Sequence, residues 1–104
     1  MKPTIVCLCG STKFKAEFIK VNFIETMAGK IVLSVGWFGH ADSDKYSLTV
    51  KEKVMLDELH KRKIDLADEI FVINVDGYIG ESTQSEINYA EEHGKLVCYL
   101  EERT

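Results

Sequence analysis

Four short apolar runs alternate with longer amphipathic segments, and this alternation constrains the fold more than any other feature of the sequence. The runs are continuously apolar, which is typical of strands covered on both faces. We predict four strands with these bounds: Thr4–Cys9, Ile31–Val35, Ile70–Val75 and Leu96–Leu100. With helices between them the order is βαβαβαβ. That order predicts right-handed crossovers and a parallel sheet sandwiched between helices, formed by residues 1–104 as a single domain.

Three helices are predicted between the strands: Lys13–Ala28, a helix from Thr49 to about Leu66, and a helix from about Ser82 to His93. Ser11 and Thr12 are positioned to cap the first helix, and Thr49-x-x-Glu52 fits a capping box. Apolar residues of the first helix recur on more than one face: Phe14, Phe18, Val21, Phe23, Ile24 and Met27. Such a wide stripe needs a second covering surface and predicts a subunit contact.

The second predicted helix has a different pattern. Val54, Met55 and Leu59 are expected to face inward, and a dense charged face is expected to lie outward.

Charge and hydropathy exclude two classes of partner. The net charge of −4 and the single tight basic run Lys61-Arg62-Lys63 argue against binding a nucleic-acid polymer. No stretch approaches the ~20 apolar residues of a membrane helix, and the first residues lack a signal-peptide pattern. We therefore expect a cytoplasmic protein without a membrane partner.

The cysteines are Cys7, Cys9 and Cys98. Cys7 and Cys9 share one face of a strand, where they are poorly placed to form a disulfide with each other. Scattered thiols without a clustered histidine make no zinc site. The interpretation is reduced core thiols that form no zinc site.

Ligand sites in open parallel sheets lie beyond the carboxyl ends of the strands, so the loops there are the candidate site. After the first strand, Gly10, Ser11 and Thr12 combine close backbone approach with hydroxyls and a helix start, which suits a phosphate. An ordinary turn with a helix cap fits these residues equally well.

The loop after the second strand contains Trp37, Phe38 and His40 between and beside two glycines. These side chains are suited to stack on and hydrogen-bond a flat heterocycle. Packing of Trp37 against the sheet edge and a solvated His40 are the alternative.

The third loop leads into Gly80-Glu81-Ser82-Thr83-Gln84-Ser85-Glu86. Thr83-x-x-Glu86 matches a capping box, and on the residues alone this interpretation is favoured. Yet a carboxylate at a strand-end crevice, beside donors for a phosphate or sugar, is also what attack on a glycosidic carbon requires.

In these residues the chain resembles the nucleoside 2-deoxyribosyltransferase family, which includes relatives that hydrolyse nucleoside monophosphates. Three segments carry the resemblance in the right order: Cys9-Gly10-Ser11, Ala67-Asp68, and Gly80 followed by Ser85-Glu86-Ile87-Asn88-Tyr89-Ala90. The resemblance implies a flavodoxin- or Rossmann-like three-layer sandwich with a mainly parallel sheet of four or five strands. It also implies a homodimer or higher homo-oligomer, with no metal and no organic cofactor.

The resemblance also implies roles. Glu86 would be the nucleophile on C1′ of the sugar, with Ser11 and either Ser82 or Ser85 holding sugar hydroxyls or a 5′-phosphate. Trp37 or Tyr78 would wall the base. The matched segments add Gly10, Gly80 and Asp68 to the substrate-binding set.

Two features depart from the family pattern. Many members have an aspartate one helical stretch before the Ala-Asp pair, where this sequence has His60. An imidazolium could protonate a departing base, which makes His60 a second catalytic candidate; a surface position for it, or a role for Asp57 or Asp65, are alternatives. The chain also ends just after Leu100, so the lid of family members is expected to be absent.

Three functions follow as expectations. The first is cleavage of the N-glycosidic bond of a nucleoside or nucleoside 5′-monophosphate, by hydrolysis or by transfer. The second is a non-catalytic module that binds a nucleotide or senses a nucleotide signal. The third is a structural partner protein that works through the apolar stripe of its first helix.

Overall fold

A computed structural model of the chain describes residues 2–39 and 48–103. Its elements follow the predicted order: β1 (Ile5–Gly10), α1 (Lys15–Met27), β2 (Ile31–Leu33), α2 (Val50–Leu66), β3 (Glu69–Ile73), α3 (Glu81–Glu92) and β4 (Leu96–Tyr99). A single 3₁₀ turn, Val75–Gly77, follows β3. The predicted βαβαβαβ order is confirmed, and β2 is two residues shorter than expected.

The four strands form one sheet in the order β2-β1-β3-β4, and all three pairings are parallel. The two central strands run in register from Val6 opposite Glu69 to Gly10 opposite Ile73. With helices on both faces, this is the predicted α/β sandwich of flavodoxin- or Rossmann-like type. Its carboxyl edge is formed by the loops after β1, β2 and β3.

The side chains of β1 alternate between two cores. Val6 and Leu8 point toward α1, while Cys7 and Cys9 point toward α2 and α3. The α1-side core is completed by Phe18, Val21 and Ile73. The core on the opposite side adds these residues: Ile64, Ala67, Ile70, Val72, Ile87 and Ala90.

Helix α1 carries more apolar residues than the sheet covers. Phe18 and Val21 are buried, whereas Phe23 is 66% exposed and Met27 is 71% exposed. Ile24 is exposed as well. The wide stripe is thus present on the surface of the single chain, and the subunit contact inferred from it stays a prediction.

Helix α2 begins with the predicted capping box. The Thr49 hydroxyl accepts a hydrogen bond from the Glu52 backbone N–H at 3.1 Å, and the Glu52 carboxylate accepts one from the Thr49 N–H at 3.0 Å. The orientation predicted for the rest of this helix is wrong. The three residues expected inside are exposed: Val54, Met55 and Leu59.

The face of α2 that packs on the sheet carries His60 and Ile64, both buried. These residues lie four apart, so they share one side of the helix. The prediction failed because it assigned the inner face by hydropathy, whereas the buried face of α2 includes an imidazole.

No helix within residues 2–39 and 48–103 combines the length and the apolar character needed to cross a membrane.

Candidate functional site

A cavity of about 720 Å³ opens at the carboxyl edge of the sheet, between the strand-end loops and helix α2. Its volume lies within the ~300–1,000 Å³ typical of small-molecule sites. It brings together nine of the predicted site residues: Gly10, Ser11, Thr12, Trp37, His60, Tyr78, Gly80, Ser82 and Glu86.

The loop after β1 lets the chain pass close to β3. A Cβ atom at Gly10 would lie 2.9 Å from the carbonyl oxygen of Ile73, so a side chain here would force the backbone to shift. The predicted capping by Ser11 and Thr12 is not found: α1 begins only at Lys15, and its N-cap residue, Phe14, makes no side-chain capping hydrogen bond. Instead, the Ser11 hydroxyl accepts a hydrogen bond from the Lys13 N–H at 3.3 Å. This loop therefore forms a turn that lines the cavity before the helix starts.

The loop after β2 brings Trp37 to the cavity wall. Its indole occupies the space where a side chain at position 39 would lie, since a Cβ there would meet Trp37 Cζ2 at 1.9 Å. A side chain at position 39 would therefore require the Trp37 ring to move. Phe38 instead packs against α1, with its ring edge-on to Phe18 at 5.4 Å between centroids. The predicted His40 lies outside the described residues.

The loop after β3 contributes Tyr78. Its ring is half exposed and lies edge-on to Phe14 at 6.0 Å, with the Lys13 ammonium 3.8 Å from the ring centroid. The aromatic side chains predicted to wall a base, Trp37 and Tyr78, therefore line one cavity.

Glu86 faces the cavity, and the capping-box interpretation of Thr83-x-x-Glu86 is wrong. Helix α3 begins at Glu81 with Gly80 as its N-cap and without a side-chain cap. Thr83 is already inside the helix and buried, so its hydroxyl is not in an N-cap position. Glu86 lies on the inner face of the helix, 8% exposed. The carboxyl group is thus held at a cavity rather than used to end a helix.

His60 approaches Glu86 from the neighbouring helix. The imidazole Nε2 lies 4.0 Å from Glu86 Oε1 and 3.1 Å from the carbonyl oxygen of Leu8. The residue is 6% exposed, so the alternative of a surface histidine is excluded. Nε2 also lies 3.6 Å from the Sγ atoms of both Cys7 and Cys9.

These groups shift one another's protonation. Burial raises the pKa of Glu86 to about 7, although the nearby His60 opposes the rise. Burial disfavours the charged form of His60, but its contacts with Cys7 and Glu86 outweigh burial and raise its pKa. The hydrogen bond from Cys9 is the largest influence that lowers the pKa of Cys7, to about 5, while the same contact and burial raise the pKa of Cys9. The cluster therefore places several groups with shifted pKa values next to the cavity.

The prediction of free, buried thiols is confirmed for Cys7 and Cys9, and Cys98 is free and partly buried. The premise that no histidine clusters with them is wrong. A histidine from α2 reaches β1 because both cysteines point toward that helix. Sequence separation hid the contact: His60 is 51 residues from Cys9.

Two predicted binding residues do not reach the cavity. Asp68 precedes β3 and lies at the amino end of the sheet, where its carboxylate accepts a hydrogen bond from the Ile5 N–H at 2.8 Å. A residue before a parallel strand is separated from the site by the length of that strand. Ser85 is exposed on the outer surface of α3, because one residue along a helix rotates the side chain by ~100° from Glu86.

The two aspartates that were alternatives to His60 as the group serving the leaving base lie in different places. Asp57 lines the cavity. Asp65 lies outside it and accepts a hydrogen bond from the Tyr89 hydroxyl at 2.6 Å.

Sequence reasoning missed two lysines of the cavity, Lys53 and Lys63. The Lys53 ammonium donates to the Ser82 hydroxyl at 3.1 Å and lies 3.4 Å from an oxygen of Asp57. Lys63 donates to the Ser34 carbonyl oxygen at 2.7 Å. The signal was available in the spacing: Lys53 and Lys63 lie seven residues before and three residues after His60, which places all three on one side of α2.

Comparisons with protein-family models, with curated proteins and with solved structures found no match to this chain.

Proposed function

We propose that the protein cleaves the N-glycosidic bond of a nucleoside or nucleoside 5′-monophosphate, with Glu86 as the nucleophile. The observation that carries the proposal is the position of this carboxyl group, buried on the inner face of α3 yet lining a substrate-sized cavity. A helix-capping role, the main alternative for Glu86, is excluded by the start of α3 at Glu81.

The remaining lining of the cavity supports a nucleoside ligand. Trp37 and Tyr78 offer flat apolar surfaces for a base, and Ser11 and Ser82 offer hydroxyls for a sugar or phosphate. The ammonium groups of Lys53 and Lys63 add positive charge to the same cavity. The cavity also contains the carboxyl groups of Asp57, Glu81 and Glu86, so a 5′-monophosphate is favoured by direct contact of its phosphate with these ammonium groups and not by net charge.

The proposed reaction has two steps. A carboxylate oxygen of Glu86 bonds to C1′ while the bond from C1′ to the base nitrogen breaks, and its electron pair leaves on the base, which takes a proton from water. Water then attacks C1′, the ester bond to Glu86 breaks, and the carboxylate is restored with release of one proton. A second base in place of water would give transfer instead of hydrolysis. No cofactor takes part in either route.

The second candidate is a module that binds a nucleotide without turnover. One observation favours it: His60, at the position of the family's aspartate, contacts Leu8 and both cysteines and is almost fully buried. An imidazole engaged in this way has little freedom to serve a leaving base.

The test is to incubate the protein with ribo- and deoxyribonucleosides and their 5′-monophosphates and to follow free base by chromatography. We expect base release by the native protein, most of all from monophosphates, and its loss in Glu86→Gln. Glu91→Gln is the matched control, because Glu91 lies on the exposed side of the same helix. Equal release by the native protein and Glu86→Gln would reject the mechanism. Binding by calorimetry without base release would favour the second candidate.

The proposal places the protein in the cytosol, where nucleotides are used and where free thiols such as Cys7 and Cys9 stay reduced. It also includes a homo-oligomer formed through the exposed apolar side of α1. Sedimentation of the native protein and of Phe23→Glu tests this part, and a native protein that sediments as a monomer contradicts it.

A further inference from the structure

Beneath the cavity, one strand and one helix bring three ligand-forming side chains to a single point. Cys7 and Cys9 project from the same face of β1, and His60 meets them from α2. The two Sγ atoms and one ring nitrogen lie within 4.8 Å of one another, and all three residues are buried. No other group of this kind occurs within residues 2–39 and 48–103.

We propose that Cys7, Cys9 and His60 form a binding site for a thiophilic divalent cation, with Zn²⁺ the best fit. The distances support this ligand set. Zinc binds thiolate at ~2.3 Å and imidazole at ~2.0–2.1 Å, and a tetrahedral angle between them separates sulfur from nitrogen by about 3.6 Å. Both Sγ to Nε2 distances are 3.6 Å.

Glu86 is not part of the proposed ligand set. A carboxylate oxygen and an imidazole nitrogen on one tetrahedral zinc are about 3.4 Å apart, whereas Glu86 Oε1 lies 4.0 Å from His60 Nε2. The proposal therefore goes beyond the proposed function and does not depend on it. A solvent atom would complete the coordination.

Charge and hydrogen bonding fit the cation as well. Two thiolates and a neutral imidazole around a divalent ion carry no net charge, which suits a site whose cysteines are 0% exposed. The hydrogen bonds from the thiols to backbone carbonyl oxygens are weak, because each Sγ is 3.9 Å from its carbonyl acceptor. A stronger contact joins His60 Nε2 to the Leu8 carbonyl oxygen at 3.1 Å. When the ring proton moves to Nδ1, Nε2 gives up this hydrogen bond and its lone pair binds the metal instead.

The test uses the full-length protein, kept reduced and stripped with a chelator, then titrated with Co²⁺. We expect one cobalt per chain, a thiolate-to-cobalt charge-transfer absorption in the near ultraviolet, and displacement by Zn²⁺. Cys7→Ser and Cys9→Ser should each weaken binding by more than ~100-fold, which exceeds the effect of losing a group that only hydrogen-bonds to a metal ligand. Cys98→Ser is the matched control and should bind like the native protein, because Cys98 lies on β4, outside the cluster. Absence of the absorption in native protein, or its persistence in Cys7→Ser and Cys9→Ser, overturns the proposal.

A second measurement on native protein covers the case that the serine variants do not fold. Alkylation of each cysteine is followed by mass spectrometry with and without Zn²⁺. Zinc should slow modification of Cys7 and Cys9 by at least ~10-fold, since bound ligand stabilises the closed state, and leave Cys98 unchanged. Equal rates at Cys7 and Cys9 in both conditions would overturn the site. Base release plays no part in either readout, so a failure here is distinct from a failure of the proposed function.

Discussion

The two sides of the sheet are built from opposite kinds of core. On the α1 side, Val6, Leu8 and Phe18 pack with further apolar residues, and within residues 2–39 and 48–103 no ionisable group is buried among them. On the α2 and α3 side, Cys7 and Cys9 lie beside His60, and Glu86 follows at the cavity. Both cores include residues of β1, because successive side chains of a strand point to opposite faces of the sheet.

Among the residues that the structure describes, this difference places the buried reactive groups on one side of the sheet only, the side covered by α2 and α3. Burying a carboxyl group and an imidazole costs stability unless they interact with partners, and here they are 4.0 Å apart. An apolar core on the α1 side has no such cost. We therefore expect substitutions on the α1 side to change the free energy of unfolding, and those on the other side to change ligand chemistry as well.

The largest expected effect is on the α1 side. Phe18→Ala removes a ring that is 1% exposed and should lower the free energy of unfolding by ~3–5 kcal/mol, measured by urea denaturation. Phe23→Ala, on the same helix but 66% exposed in the single chain, should change it by less than ~0.5 kcal/mol when both proteins are monomeric by sedimentation, because a subunit contact through Phe23 would otherwise add to the loss. Similar losses in both variants would mean that α1 does not pack as described.

A smaller loss is expected for the polar core. His60→Leu leaves the Leu8 carbonyl oxygen without its donor at 3.1 Å and should cost ~1–3 kcal/mol in urea denaturation with chelator present. His93→Leu is the control, since His93 is exposed at the end of α3. An unchanged or higher stability of His60→Leu would show that the polar contacts do not stabilise this side.

Next comes an effect on substrate binding under the proposed function. Ser11→Ala should raise KM for a monophosphate by ~10-fold with a smaller change in kcat, because a contact equal in ground and transition states contributes uniform binding. Steady-state kinetics of base release measure it, with Ser85→Ala as control because Ser85 is exposed on the outer surface of α3. A fall in kcat alone would assign Ser11 to the chemical step instead.

The smallest effect concerns the start of α2, the helix that carries His60. Thr49→Ala removes the hydroxyl that accepts from the Glu52 N–H and should lower the free energy of unfolding by ~1 kcal/mol. Thr26→Ala serves as control, because its hydroxyl contacts Asn22 on the exposed end of α1 and caps no helix. A loss that is equal in the two variants would contradict a specific role for the capping box.

The sequence predicted the sheet well because its strands are continuous apolar runs, and a run such as Ile70–Val75 needs no knowledge of its partners. The capping box of α2 was predicted correctly as well, because this motif depends only on residues close together in the sequence. The inner face of α2 failed, because hydropathy does not reveal that His60 is buried by contacts with residues 51–53 positions away.

The site was partly predictable. Residues at the carboxyl end of a strand, such as Ser11 and Trp37, were found by a topological rule. Asp68 was drawn from a family motif and lies at the other end of the sheet. The sequence alone could not exclude a capping role for Glu86, because this conclusion depends on the observed start of α3 at Glu81.

The narrow gap between Gly10 and the Ile73 carbonyl oxygen limits how this chain can vary. Any larger residue at position 10 would press on the backbone of the adjacent central strand, at the very rim of the cavity. In a saturation library, folded clones should keep glycine at position 10 and accept many residues at Gly36, where no heavy atom of the part of the chain that the structure describes lies within 4 Å of an added Cβ. The rim of the cavity thus contains one position, Gly10, that cannot change during evolution without moving the backbone, and another, Gly36, that can change freely.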